Sequence, residues 1–250
     1  ATLNIIPHLE HGIGAFFPHG GMISLTNALF KLSNELGVKF RFEEKVLEIN
    51  LDKNKILGLT TTKSIYKFDK VVSNMDIFYT YNLLLPNEKK PKQILKQERS
   101  SSALIFYWGM NKVFENLQLH NIFFTENYEK EFNALFKEQK IDNDPTIYIN
   151  ITSKYEKNDA PKGGENWFVM VNAPNNDWQN WDELVSNCRK NLILKLEKML
   201  QTSIQSHIVC ESTLDPRSIE LKTASYKGAL YGSSSNSKFS AFLRHKNYSS

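Results

Sequence analysis

The chain has 250 residues, 41% of them hydrophobic and 23% charged. That suits a soluble globular protein with a sizeable core, in one large domain or two small ones, and excludes disorder along the whole length. A net charge of +4, from 31 basic and 27 acidic residues well mixed along the chain, is too mild to indicate nucleic-acid binding. No apolar run approaches the ~20 residues of a membrane span, and no basic start leads into an apolar core at the N-terminus. Cys188 and Cys210 stand outside any CxxC pair, which points away from zinc; two buried free thiols in a reducing cytoplasm are expected, in preference to the alternative of a single disulfide between them.

In chain order, residues 1–14 lack periodicity and read as a loop. His8 and His11 lie three apart within it, and solvated loop histidines explain them better than a metal site. Phe16-Phe17-Pro18-His19-Gly20-Gly21 is a tight turn rich in breakers. From Met22 to Leu36 the spacing of Leu25, Leu29, Leu32 and Leu36 predicts an amphipathic helix facing a core. Gly37 ends it, because glycine enters the left-handed conformation cheaply. Short strands are expected at Val38–Phe42 and Lys45–Leu51. A polar turn and strands at Ile56–Thr62 and Ser64–Phe68 complete an antiparallel meander. Val71-Val72 within Lys70–Ser73 suits a fully buried strand.

After Asn74 the texture changes. Asp76–Leu85 is predicted helical and stopped by Pro86, followed by a Lys/Pro-rich stretch, Asn87–Lys96. Ser102–Met110 is apolar on both faces and reads as a central strand. Further strands are expected at Ile122–Phe124, Pro145–Thr152, Trp167–Asn172 and Ser206–Glu211. Tyr128–Gln139 and Asn180–Leu200 are predicted helices, the second with a stripe of Leu184, Cys188, Leu192, Leu196 and Met199. Cys188 on that stripe reads as a structural thiol. The tail, Gly228–Ser250, is rich in Gly, Ser and Asn. The fold class is therefore α/β (α+β), divided near residue 75. Residues 1–75 form the remnant of a Rossmann-like cofactor domain. Residues 76–250 form a mixed-sheet domain with helices on one face and a tail leading back to the first.

The sequence has no GxGxxG, Walker lysine motif, HExxH or GxSxG. The turn Phe17-Pro18-His19-Gly20-Gly21 before a helix is more informative, since two glycines let a backbone approach a ligand and the helix start offers free N–H groups. It is followed by Gly37-Val38, by Glu44-Lys45-Val46-Leu47-Glu48-Ile49, and by Phe68-Asp69-Lys70-Val71-Val72-Ser73-Asn74-Met75-Asp76. In that order these segments resemble the phytoene desaturase family of flavin-dependent oxidoreductases, within the amine-oxidase-like superfamily. Gly228-Ala229-Leu230-Tyr231-Gly232 and Ser240–Asn247 resemble the segment before that family's C-terminal flavin motif. The resemblance covers roughly residues 13–79 and 214–247. Met75 departs from the small residue usual in the Asn-x-Asp turn.

The resemblance implies flavin adenine dinucleotide as cofactor, desaturation of a carotenoid or similar long apolar polyene, and peripheral contact with a membrane. The family grips its flavin with an N-terminal GxGxxG loop and a C-terminal glycine-rich helix. Neither occurs here, and the chain opens on Ala1, so an internal portion with weak flavin binding of its own is expected. By the same resemblance Val46 passes the adenine edge, or else is a plain strand residue. Asn74 is either a cofactor contact or a turn former. Phe17, His19 and Trp108 are candidates to line a substrate channel, Trp108 equally a core residue. No catalytic residue and no metal ligand is nominated. Two other readings stay open: another activity of the superfamily, as an amine oxidase or a retinoid saturase-like reductase, and a non-enzymatic module binding an apolar ligand or partner.

Overall fold

The computed structural model describes residues 5–53 and 55–234. The chain begins with a helix, α1 (Ile5–Gly12), where a loop was expected. Pro7 falls in its first turn, where the missing N–H would have had no intrahelical partner. Helix α2 (Ile23–Glu35) follows the glycine turn as expected. Gly37, at φ 81°, closes it while its N–H donates to Asn34 O. The helix does not face a core among the described residues, however: none of its residues is buried, and Leu29 is 65% exposed.

The predicted strand Val38–Phe42 is irregular instead. Its aromatics turn toward the helix: the Phe40 and Phe42 rings lie 4.5 and 6.2 Å from the Phe30 ring. Strands β1 (Val46–Asp52), β2 (Lys55–Thr61) and β3 (Ile65–Lys67) then form the expected antiparallel meander, with β1 on one edge. Lys70–Ser73 forms no strand, and Val72 is 95% exposed. A buried strand needs neighbours to pair its peptide groups, and none stands beside this segment among the described residues.

Asp76 starts the next helical segment by accepting the Phe78 N–H at 2.8 Å. Helix α3 (Ile77–Tyr79) continues as a π-helical turn over Thr80–Leu84 and ends before Pro86. A short helix, α4 (Lys92–Leu95), occupies the Lys/Pro-rich stretch.

Strands β4 (Ser102–Met110), β5 (His120–Phe123), β6 (Ile147–Asn150), β7 (Glu165–Ala173) and β8 (Ile208–Leu214) build the second sheet, in the order β5-β6-β7-β4-β8. The α/β class holds. The mixed sheet expected for this part is antiparallel at every pairing. β4 and β7 pair over nine residues, from Ser102↔Ala173 to Met110↔Glu165. One face carries the core. Leu104, Phe106 and Trp108 of β4, Ile147 and Ile149 of β6, and Trp167, Val169 and Val171 of β7 are all buried there.

Helix α6 (Trp181–Leu200) covers that face with Trp181, Cys188, Leu192, Ile193 and Leu196. Asn180 caps it by accepting the Glu183 N–H. Helix α5 (Tyr128–Phe136) is tied down by buried Glu131, whose carboxylate accepts the Thr146 N–H at 2.9 Å and hydroxyl at 2.7 Å. A further helix, α7 (Pro216–Thr223), was not anticipated. Its signal was legible: Asp215 accepts the Ser218 N–H as N-cap, and Pro216 stands at the first helical position.

Chain regions far apart in sequence meet around α7. Glu220 accepts from the Tyr79 hydroxyl at 2.5 Å and from Asn176 Nδ2 at 2.7 Å. Burial and the Glu220 carboxylate push the Tyr79 phenol well above its ordinary range. The return segment pairs with the strand entry: Ser100 N–H donates to Gly232 O, and Ser102 Oγ donates to Gly228 O at 2.6 Å. Ser240–Asn247, named above for its resemblance, lies outside the described residues.

Candidate functional site

Because strand side chains alternate between faces, filling one face of the large sheet with core leaves the other face open. That face carries Tyr107 and Gly109 from β4, Phe168 and Met170 from β7, Tyr148 and Asn150 from β6, and His120 from β5. Four of these rings form a ladder across the strands. Tyr107 and Phe168 are direct cross-strand partners with ring centroids 5.6 Å apart and edge-to-face. Phe168 and Tyr148 follow at 6.3 Å, and Tyr148 and His120 at 6.0 Å. Such spacings are those of favourable aromatic pairs. Phe168 and Tyr148 are half-buried and Tyr107 is 42% exposed, so the ladder presents ring surface outward.

A cavity of about 580 Å³ opens on this face, lined among others by Tyr107, Phe168, Asn150, Pro161, Cys210 and Ser212. Its size is that of a small-molecule site. Gly109 keeps the floor flat, since a Cβ there would stand 2.4 Å from Cys210 Sγ. The loop that forms one wall is held from below by Glu165. This buried carboxylate pairs with Lys154 Nζ at 2.7 Å and accepts the Trp167 Nε1–H at 2.8 Å and the Phe114 N–H at 3.2 Å. Asn166 Oδ1 accepts the Ser153 N–H across the same loop. At the polar end of the ladder, the Tyr148 hydroxyl lies 2.7 Å from His120 Nδ1. Burial pushes the Tyr148 phenol above its ordinary pKa, so it stays protonated at neutral pH.

The residues singled out in the sequence fall in different places. Phe17 packs on Tyr155 with centroids 5.9 Å apart, and Gly20 N–H donates to Glu156 Oε1 at 2.7 Å. The glycine turn, with Gly20 and Gly21 at φ 79° and 73°, therefore abuts the loop whose residues Thr152 and Asp159 line the cavity. His19 is exposed beside it. Trp108 is 1% exposed and its side chain packs in the core with α6, while it also stands among the residues that line the cavity. Its neighbour Tyr107 lines the same cavity and is 42% exposed.

Val46 is half-buried on edge strand β1. Asn74 is exposed in the irregular segment before α3 rather than at the end of a buried strand. There Ser73 Oγ accepts the Met75 N–H and meets Thr80 Oγ1 at 2.9 Å. No described hydrogen bond joins Val46 or Asn74 to the ladder. Both cysteines are free, but only Cys188 is buried as expected, its thiol pushed up to about 12 by desolvation; Cys210, on the open face of β8, is exposed. Among the described residues no group of three or more His, Cys, Asp or Glu side chains is arranged to hold a metal, and no helix is long and apolar enough to cross a membrane.

Sequence reasoning missed Tyr107, Tyr148, Phe168 and His120. The alternation in Ile147-Tyr148-Ile149-Asn150 and Trp167-Phe168-Val169-Met170 was the available signal. It shows two faces but not which of them α6 covers.

A family described as flavin containing amine oxidoreductase matches residues 4–198. Among curated proteins, the 1-hydroxycarotenoid 3,4-desaturase of Flavobacterium sp. (strain P99-3) is 51% identical over 246 residues, which is 98% of this chain and 50% of that protein. The 4,4'-diapolycopene oxygenase of Methylomonas sp is 30% identical, over 93% of this chain and 48% of that protein. The phytoene desaturase of Fusarium fujikuroi is 28% identical, over 92% and 45%. The chain thus spans about half the length of the curated relatives it matches. Among solved structures, an oxidoreductase from Methanosarcina mazei aligns with a TM-score of 0.54 at 13% identity, covering 78% of this chain and 42% of that one; this likeness concerns the fold.

Proposed function

The chain belongs to the flavin containing amine oxidoreductase family, and on that premise we propose that it serves in flavin-dependent carbon–carbon desaturation of a carotenoid or similar long apolar polyene. The observation that carries this reading is the aromatic ladder Tyr107–Phe168–Tyr148 beside the cavity on the open sheet face. A conjugated chain is flat, apolar and polarisable. Stacked ring faces hold such a chain without needing polar contacts along it. The relatives named for carotenoid desaturation and oxygenation support the same substrate class.

In this reading residues 1–75 contribute to the cofactor domain and residues 76–250 to the substrate domain. Flavin adenine dinucleotide, when bound, accepts the hydride equivalent taken from the polyene. The residues present fit one border of that group. β1 is an edge strand, so alternate peptide groups near Val46 point away from β2 and are free to meet an adenine edge. Asn74, in the irregular segment before α3, would be a second contact, and Phe17 and His19 stand where the glycine turn meets the cavity loop.

The protein's own part is orientation and exclusion of water. The ladder aligns the polyene across the strands, and the loop anchored by Glu165 and Lys154 closes one side. Peripheral contact with a membrane belongs to the same reading, because such substrates dissolve in lipid.

The test is to express the full encoded protein, isolate it with its flavin, and supply a C40 polyene. The expected product has one additional carbon–carbon double bond per turnover. A full protein without flavin absorbance, or one that adds oxygen and no double bond, overturns the proposal.

A further inference from the structure

The loop between β6 and β7, residues 151–164, borders two cavities. One is the cavity on the open sheet face. The other, of about 720 Å³, is lined by Ser153, Lys157, Asn158, Lys162 and Gly163 among others. Asp159, Ala160 and Pro161 line both, so the substrate cavity adjoins a polar surface that carries two lysines.

Lys157 and Lys162 are exposed and make no hydrogen bond or ion pair among the described residues. The charged groups beside them are engaged. Glu156 accepts the Gly20 N–H at 2.7 Å, Asp159 accepts the Thr152 hydroxyl, and Lys154 is paired with Glu165. The loop thus leaves two ammonium donors for a partner, and such donors select an anion. Exposed apolar side chains flank them. Phe17 packs on Tyr155 and brings the glycine turn against the loop, with Phe16 82% and Tyr155 64% exposed. Met22, just past the turn, is exposed as well. Exposed rings beside unpaired lysines suit the interface of an anionic bilayer, the rings at headgroup level and the lysines on lipid phosphate.

From this we infer that loop 151–164 and the glycine turn dock on a bilayer of anionic phospholipid, with Lys157 and Lys162 on the lipid phosphates and Phe16 and Tyr155 in the headgroup layer. The inference rests on the reading that the open face binds a polyene, and it adds the surface and the lipid class through which that substrate arrives. Docked this way, the cavity adjoins the lipid, and the polyene passes between them without exposing its apolar length to water.

The experiment sediments the full protein with vesicles of phosphatidylcholine alone, and with vesicles in which phosphatidylglycerol is about a quarter of the lipid. The unsubstituted protein is expected to partition onto the anionic vesicles at least about tenfold better, and Lys157→Gln and Lys162→Gln are each expected to lower that preference about fivefold. Phe16→Ser should weaken binding to both vesicles several-fold. No preference for the anionic vesicles, a preference that survives in the double lysine variant, or unchanged binding of Phe16→Ser overturns the inference. Inorganic phosphate at fixed ionic strength is a further arm. If it shields Lys157 and Lys162 from acetylation while anionic vesicles do not, the loop takes a soluble phosphate and the inference falls. Polyene dispersed in detergent tests the underlying reading separately, through its absorbance shift on binding. If it binds while the vesicle criterion fails, the polyene face stands and the docking surface falls. If it does not bind while the vesicle criterion holds, the docking surface stands and the polyene reading falls.

Discussion

The Arg99 guanidinium faces the Asp76 carboxylate at 3.7 Å, and both side chains are almost wholly buried, 4% and 9% exposed. Their surroundings join three stretches of chain. Asp76 caps α3 through the Phe78 N–H, the Phe78 ring stacks on Tyr226 at 3.5 Å, and Tyr226 lies under the Arg99 guanidinium at 5.2 Å. Nε and both Nη atoms of Arg99 make no hydrogen bond within the described residues. Asp76 is therefore the anion that offsets this buried cation.

Breaking that pair leaves a buried charge opposite a neutral group. Asp76→Asn is expected to lower the unfolding free energy by about 3–5 kcal/mol, read from urea denaturation. Adding Arg99→Met should recover part of the loss, because the double variant buries no charge. A single variant as stable as the parent would show that the pair contributes nothing.

Trp108 and Tyr107 are adjacent in sequence and face opposite ways. Trp108→Ala empties a core site and is expected to cost about 3–5 kcal/mol. Tyr107→Ala removes a side chain that is 42% exposed and should cost far less stability, while weakening polyene binding several-fold. Thermal denaturation and a binding titration on the same two proteins check both halves.

The two cysteines should react very differently. Desolvation pushes the Cys188 thiol up to about 12, and it is buried on α6. Only the thiolate attacks an alkylating reagent. One thiol, Cys210, is expected to be labelled rapidly in the native protein, and the second only in denaturant. Mass spectrometry of the labelled peptides decides this, and rapid native labelling of Cys188 would contradict it.

Acid should destabilise the fold through two carboxylates. For Asp144, partial burial pushes the pKa up, but the Lys195 ammonium at 2.6 Å and the Glu126 N–H outweigh it, and the net shift is downward. Asp215 is pushed up by burial too, and the Ser218 N–H and Arg217 bring it below its ordinary value. With both folded values depressed, the unfolded chain takes up more protons once the pH drops below about 4. Their stabilisation is complete above that range and is lost as the pH falls through the folded values. The double variant Asp144→Asn with Asp215→Asn should be less stable at neutral pH and should show a flatter acid limb in its melting temperature. An acid limb as steep as the parent's would assign acid sensitivity to other groups.

Much of the fold was legible because it is local. The leucine spacing of α2, the stripe of α6, the polar turn between β1 and β2 and the alternation in β6 and β7 each depend on residues a few positions apart. So do the ordered segments around Gly20-Gly21, Val46 and Ser73-Asn74 that carry the family resemblance. The errors share a cause as well. Val38–Phe42 and Lys70–Ser73 have the side chains of strands, but a strand exists only where another strand accepts its peptide groups, and the sequence does not show whether one is present. Phe40 and Phe42 instead found the Phe30 ring.

The sequence by itself determined that this is an α/β chain of the flavin oxidoreductase kind, with β4 as an interior strand. Only the tertiary structure decided which side of that strand matters. Helix α6 covers the face of Trp108, and that choice leaves Tyr107, Phe168, Tyr148 and His120 together on the open side. The deciding contacts join residues far apart along the chain, such as Tyr79 with Glu220 and Arg99 with Tyr226. They form only when burial of the whole core offsets the entropy of bringing such distant segments together, and no local pattern encodes them.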